Sequence, residues 1–176
     1  MEPNEEWKDE IEKAREPFDR KVGGSMAIVA AVLTLVGVYG HISTTEELLA
    51  QQKASDQWAF YQAKALRRYQ SEVAKDLLTA MNGAATAELR EKHAKSIERY
   101  QKEGEEIQVQ AREFEQESHI SGRRSLRLHM GEVFLQMALV LASLAILTKR
   151  RSFWIAGLSS ATIGALVAAT ALIIHG

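Results

Sequence analysis

The sequence predicts an all-α membrane protein with three transmembrane helices and a long antiparallel, coiled-coil-like helical hairpin between the first and second. Three observations lead there. Apolar residues are gathered into three blocks, a proline-free middle is rich in Ala, Glu, Lys, Gln and Arg, and that middle carries apolar positions alternating by four and three.

Whole-chain averages conceal this segregation. The slightly negative mean hydropathy averages three apolar blocks with a strongly polar middle. The 22 Lys and Arg almost balance the 23 Asp and Glu over 176 residues, so the charge gives no reason to expect a nucleic-acid partner. Cysteine is absent, which removes disulfides, thiolate nucleophiles and cysteine-ligated zinc or iron–sulfur centres.

Residues 1–22 form a charged, amphipathic N-terminal segment in which Trp7, Ile11, Ala14 and Phe18 recur at helical spacing. Pro17 is expected to end or kink this helix. The many acidic side chains, Glu5, Glu6, Asp9, Glu10 and Glu12 among them, suit docking on protein as well as on lipid. Residues 23–43 then make the first transmembrane helix, since no formal charge occurs from Val22 to Thr45. Its mixed-charge flank and the lack of a small-x-small site mark it as a retained anchor rather than a cleaved signal.

Residues 44–122 make the extramembrane hairpin. Thr44 and Glu47 have capping-box spacing, and Asn82-Gly83 provides a helix stop. In the second arm His93, Ile97, Tyr100, Gly104, Ile107, Ala111 and Phe114 alternate by four and three; in the first, Ala59, Ala63, Leu66, Val73, Leu77 and Ala80 fit a similar seam. Both seams are alanine-rich, so the helices approach closely but bury modest area, which leaves room for further partners.

Residues 128–148 form the second transmembrane helix, which must start near His129 to reach spanning length. The basic turn of Lys149, Arg150 and Arg151 follows, with Phe153 and Trp154 placed as interfacial anchors. Residues 152–174 complete the third transmembrane helix. Within it Gly157, Ala161, Ala165 and Ala169 repeat every fourth residue, and Ser160 and Gly164 extend this small-residue face for helix packing.

Chemical sites are few. The five histidines, His41, His93, His119, His129 and His175, show no metal-ligand spacing, and phosphate-loop, dinucleotide, nucleophile-elbow and kinase motifs are missing. No catalytic residue, metal or cofactor is therefore expected, and the chain is not read as an enzyme. His129, Glu132 and Gln136 share one helical face, a candidate intramembrane polar face that either lines a path or joins neighbouring helices. Simple hydration of Glu132 at the interface is the preferred reading, because the helix needs those residues for its length. The candidate interaction surface is Trp58, Phe60, Tyr61, Lys64, Arg67 and Arg68. Its three aromatics point in different directions, so one partner helix cannot cover them all.

The stretches ASDQWAFYQAKALRR (Ala54–Arg68), YQKEGEEI (Tyr100–Ile107) and LVLASLAILTKRRSFW (Leu139–Trp154), in this order, resemble a bacterial membrane-protein family known as domain of unknown function 4337. The resemblance covers most of the chain and implies a bacterial three-span membrane protein, for which the inner (cytoplasmic) membrane is the expected location. It supplies no catalytic residue, and no role for the acidic segment before Gly23.

The expected partners are membrane lipid and further copies of the chain in a homo-oligomer, with another protein through the hairpin as a further option. A structural or scaffolding assembly is the leading function; a channel or transport accessory with a polar path near Glu132 is the alternative. Eight cations, Lys8, Lys13, Arg15, Arg20, Lys21 and Lys149–Arg151, outweigh Lys53, Arg123, Arg124 and Arg127 near the hairpin ends. That bias places the N-terminus and residues 149–151 in the cytoplasm and the hairpin on the opposite side.

Overall fold

The computed structural model describes residues 3–81, 83 and 86–174, with side chains from residue 17 onward. Trp7, Ile11 and Ala14 of the expected N-terminal stripe, Asn82 of the helix stop, and His175 lie outside the described side chains. The described residues are helical almost throughout: α1 (Pro3–Ala80), α2 (Ala87–Thr148) and α3 (Arg151–Ala169), the last extended by a 3₁₀ turn at Thr170–Ile173. No strand occurs among them. Among the described residues three helices are long and apolar enough to cross a membrane.

Two boundaries expected from the sequence are not helix boundaries. Pro17 lies inside α1, which runs unbroken through it. A proline disturbs only the turn preceding it, and the long helix on its C-terminal side does not depend on that turn. Thr44 likewise starts no helix. Its hydroxyl donates back to the Gly40 carbonyl at 3.0 Å, as Thr45 does to His41 at 2.9 Å, both interior i−4 bonds rather than caps. Between Gly40 and Asn82 neither glycine nor proline occurs, so nothing makes stopping cheaper than continuing.

The chain forms two compact units, Met1–Thr45 with Ile120–Gly176, and Glu46–His119. In the first, α1 and α3 pack against α2 around Val36, Leu128, Leu135, Ala138, Ala161, Ala168 and Ala171. A second cluster joins Val22, Ala142 and Ala145 to Phe18, Met26, Phe153 and Trp154. There Phe18 and Trp154 meet edge to face at 6.1 Å, and the Trp154 indole N–H donates to Ser25 at 3.1 Å. The turn between α2 and α3 is very short. Lys149 takes the left-handed conformation (φ 54°), and its ammonium pairs with Asp19.

The α2 and α3 backbones approach closely at two glycines. A Cβ on Gly164 would lie 2.7 Å from the Gly131 carbonyl oxygen, and one on Gly131 would lie 2.7 Å from that of Gly164. These two glycines let the backbones touch, in the manner of small-residue membrane interfaces. At the far end of α3 two α2 arginines reach over: Arg124 Nε donates to the Ile174 carbonyl at 2.9 Å and Arg127 to the Thr170 hydroxyl at 3.0 Å. Cations at a helix C-terminus satisfy orphan carbonyls and oppose the helix dipole.

In the second unit the α2 seam is the expected one, with Gly104, Ile107 and Ala111 buried and His93, Ile97, Tyr100 and Phe114 half-buried. The α1 seam is not. Ala59, Ala63, Leu66, Val73, Leu77 and Ala80 are all exposed, whereas Ala50, Ala54 and Ser71 are buried and Gln57, Tyr61, Lys64, Arg68 and Leu78 half-buried. At about 100° per residue, the two-residue offset between these series turns the expected seam to the opposite side of α1. The inner face wins because Tyr61 and Lys64 gain ring, hydrogen-bond and charge contacts, which aliphatic patterning does not weigh.

Candidate functional site

Two groups of polar residues are held by this framework, one in each unit. In the first unit a hydrogen-bonded chain runs along α2 and crosses to α1. Gln136 Nε2 donates to Glu132 at 3.1 Å, the other carboxylate oxygen faces His129 Nδ1 at 3.3 Å, and His129 Nε2 meets the Thr44 hydroxyl at 3.1 Å. Thr44 and Ser125 close the series at 2.7 Å. From Ser125 to Gln136 the chain covers about 16 Å of helix at 1.5 Å per residue. Room for it comes from α1, where Gly37 faces the Glu132 carboxylate and Gly40 faces the His129 ring.

His129, Glu132 and Gln136 therefore share a face and are bonded to one another in series. Thr44, Ser125, Gly37 and Gly40 belong to the same group and were not expected. Thr44 carried a capping signal that masked it, and Ser125 lay outside any motif. Chemically, the series is a polar connection between α1 and α2 in which the Thr44 hydroxyl, having given its proton to the Gly40 carbonyl, accepts from His129 Nε2 and Ser125.

In the second unit the surface around Trp58 to Arg68 divides in two. Trp58 donates its indole N–H to Glu115 at 2.8 Å and stacks edge to face on Tyr61, which packs against Gly104. Lys64 pairs with Glu103 at 2.5 Å and lies over the Phe60 and Tyr100 rings at 5.2 and 5.6 Å. The contacts with Glu115, Gly104, Glu103 and Tyr100 hold α1 to α2. Phe60 and Arg67 are exposed, and Arg68 pairs with Glu72 of its own helix at 3.5 Å. Arg67, Gln70, Ser71, His93 and Tyr100 line an open groove of about 360 Å³. The hydrogen bond from Lys64 holds the Glu103 carboxyl below its ordinary value. In the same way Lys95 lowers Glu91 and is itself raised.

The small-residue face of α3 also divides. Gly157, Ser160, Ala161 and Gly164 turn inward onto α2, with the Ser160 hydroxyl donating to the Phe134 carbonyl at 2.8 Å. Ala165 and Ala169 are exposed. The inward line continues instead through Ala168 and Ala171, because a packed helix follows alternating steps of four and three rather than repeated fours. Most of this face is thus occupied within the chain. Gly131, its counterpart on α2, was missed; it stands in four-three register with Leu135, Ala138, Ala142 and Ala145, a spacing that could have found it.

Comparison with known families decides what this arrangement belongs to. The family model of domain of unknown function DUF4337 matches residues 18–174, which takes in α1 from Phe18 onward, all of α2 and α3, and both polar groups. The chain belongs to the DUF4337 family. Neither curated proteins nor solved structures give a match. Membership in DUF4337 covers Trp58–Arg68 and the Glu132 chain alike, and assigns a role to neither.

Proposed function

We propose that this DUF4337 protein is a multi-pass protein of a bacterial cytoplasmic membrane, whose charged middle is an antiparallel, coiled-coil-like hairpin and whose task is that of a homo-oligomeric scaffold. The hairpin reading rests on three contacts in which α1 numbers rise as α2 numbers fall: Lys53 over Phe114, Tyr61 at Gly104 and Lys64 with Glu103. What carries the scaffold reading is the division of the second unit. Trp58 and Lys64 are engaged in holding α1 to α2, and a row of apolar side chains is left outward.

The charge bias described above supports a cytoplasmic N-terminus and basic turn, with the hairpin across the membrane. Membrane lipid would surround the three apolar helices. The test is the mass of the particle in mild detergent and in native-lipid nanodiscs. An oligomer is expected; a monomer under all these conditions defeats the scaffold.

One observation favours a second reading, a channel or transport accessory. The series Gln136, Glu132, His129, Thr44 and Ser125 offers a continuous polar route on an otherwise apolar helix pair. Proton flux into proteoliposomes that falls in Glu132→Gln and His129→Leu is the expected sign of such a path. Flux equal to that of empty liposomes excludes it.

A further inference from the structure

The outward row on α1 is a second seam. Leu66, Val73 and Leu77 continue the steps of Ala59 and Ala63, with Gln70 filling the intervening position, so α1 carries two alternating four-three series on opposite faces. The inner one is filled by α2. On the outer one Leu66 is 58%, Tyr69 63%, Val73 41% and Leu77 62% exposed, with Phe60 and Met81 on its flank at 52% and 72%. A solvated helix face does not require such a series, and isolated surface leucines do not keep register over three turns.

We infer that this face is the dimer seam of the protein, occupied by the same face of a second copy, with the two α1 helices parallel and in register. The occupant follows from three considerations. First, six large side chains of this exposure offer roughly 500 Å² per copy and about 1,000 Å² per pair, the smallest area at which a specific interface holds. Second, the outward side of α2 in this unit, with Glu98, Lys102, Glu105, Glu106 and Glu113, is charged and exposed apart from Val109 and Leu89. It provides no apolar match, so the stripe is best matched by itself, across a two-fold axis.

Third, two copies inserted in one membrane with one topology must present α1 in the same direction. Each seam residue then meets its own counterpart: Leu66 on Leu66, Val73 on Val73, Leu77 on Leu77. Gln70 meets Gln70, and a polar side chain at one seam position is the usual means of fixing register. This orientation rests on the membrane-spanning scaffold proposed above.

The chain has no cysteine of its own, which makes the test clean. Leu66→Cys, Val73→Cys and, as a control on the charged face, Glu106→Cys would be treated with a mild oxidant in native membranes. The expected result is a covalent homodimer at 66 and at 73 and little at 106. No homodimer at 66 and 73, an equal yield at 106, or a link to a different protein overturns the inference.

Particle mass separates this from failure of the scaffold. Leu66→Asp with Val73→Asp, both exposed in the single chain, should release smaller particles. If wild type is an oligomer and the double variant keeps its size, the seam is wrong and the scaffold stands. If wild type is a monomer, both fall.

Discussion

Gly164→Ala isolates what the contact between α2 and α3 contributes to stability. The added methyl would lie 2.7 Å from the Gly131 carbonyl oxygen, 2.9 Å from Phe134 Cβ and 3.1 Å from Leu135 Cγ. Two of these are backbone or Cβ atoms, which move only with the helix. Restoring ordinary contact requires the helices to part by about 0.5–1 Å, a gap that forfeits a quarter to a half of the dispersion energy along the seam. Overpacking of this kind costs about 1–3 kcal/mol. Alanine's better helix propensity returns up to about 1 kcal/mol, which leaves a net loss of about 1–2 kcal/mol.

Gly24→Ala is the matched control. Nothing lies within 4 Å of a Cβ there, so only the propensity gain remains. Gly131→Ala should cost about as much as Gly164→Ala, because its Cβ meets the Gly164 carbonyl at 2.7 Å and Ala168 Cβ at 2.8 Å. The double variant should cost clearly less than the sum, since one separation of the helices admits both methyls. Unfolding by dodecyl sulfate in mixed micelles, followed by circular dichroism, measures all four. A Gly164→Ala protein as stable as wild type, or strictly additive costs in the double variant, would refute the close-contact account.

Three further outcomes follow from the structure. Glu103 is held below its ordinary 4.5 by Lys64, so the unfolded chain binds more protons and the pair's contribution, present at neutral pH, is lost as pH falls from about 4.5 through the lower folded value; unfolding of wild type and Glu103→Gln across that window should converge at its acid end. Trp154→Phe keeps the ring on Phe18 but loses the hydrogen bond to Ser25, a loss of about 1 kcal/mol by the same unfolding assay, whereas Trp154→Ala should cost about 3–5 kcal/mol. Single cysteines at Lys102 and Ser152 should be labelled from opposite sides of the membrane; an impermeant reagent reaching Ser152 and missing Lys102 in intact cells reverses the proposed topology.

Much of the candidate sites was legible because helical spacing alone brings residues together. His129, Glu132 and Gln136 are three and four residues apart, so their hydrogen bonds follow once the segment is helical. Thr44 and Ser125 are 81 residues apart, and only the docking of α1 on α2 joins them to that series. The aromatic directions at Trp58, Phe60 and Tyr61 implied that either several helices meet there or some rings are exposed, and in the single chain Phe60 is the exposed ring. Which ring, and which of two α1 seams faces inward, depended on contacts such as Lys64 with Glu103.

The sequence by itself determined the helical class and the three apolar blocks, because both are set by residue-by-residue costs: propensity, and the transfer of side chains and backbone into hydrocarbon. It also determined the α2 seam of the second unit, whose alternation has no apolar rival between Ala87 and His119. The tertiary structure decided where helices run on and which faces meet. Composition changes at residue 44 as a polar stretch replaces an apolar one, but a helix backbone satisfies its own hydrogen bonds on both sides of such a change and has no reason to end there. The α1 helix carries two four-three series; the choice between faces depends on the shape and charge of the facing helix, information held by residues distant in sequence.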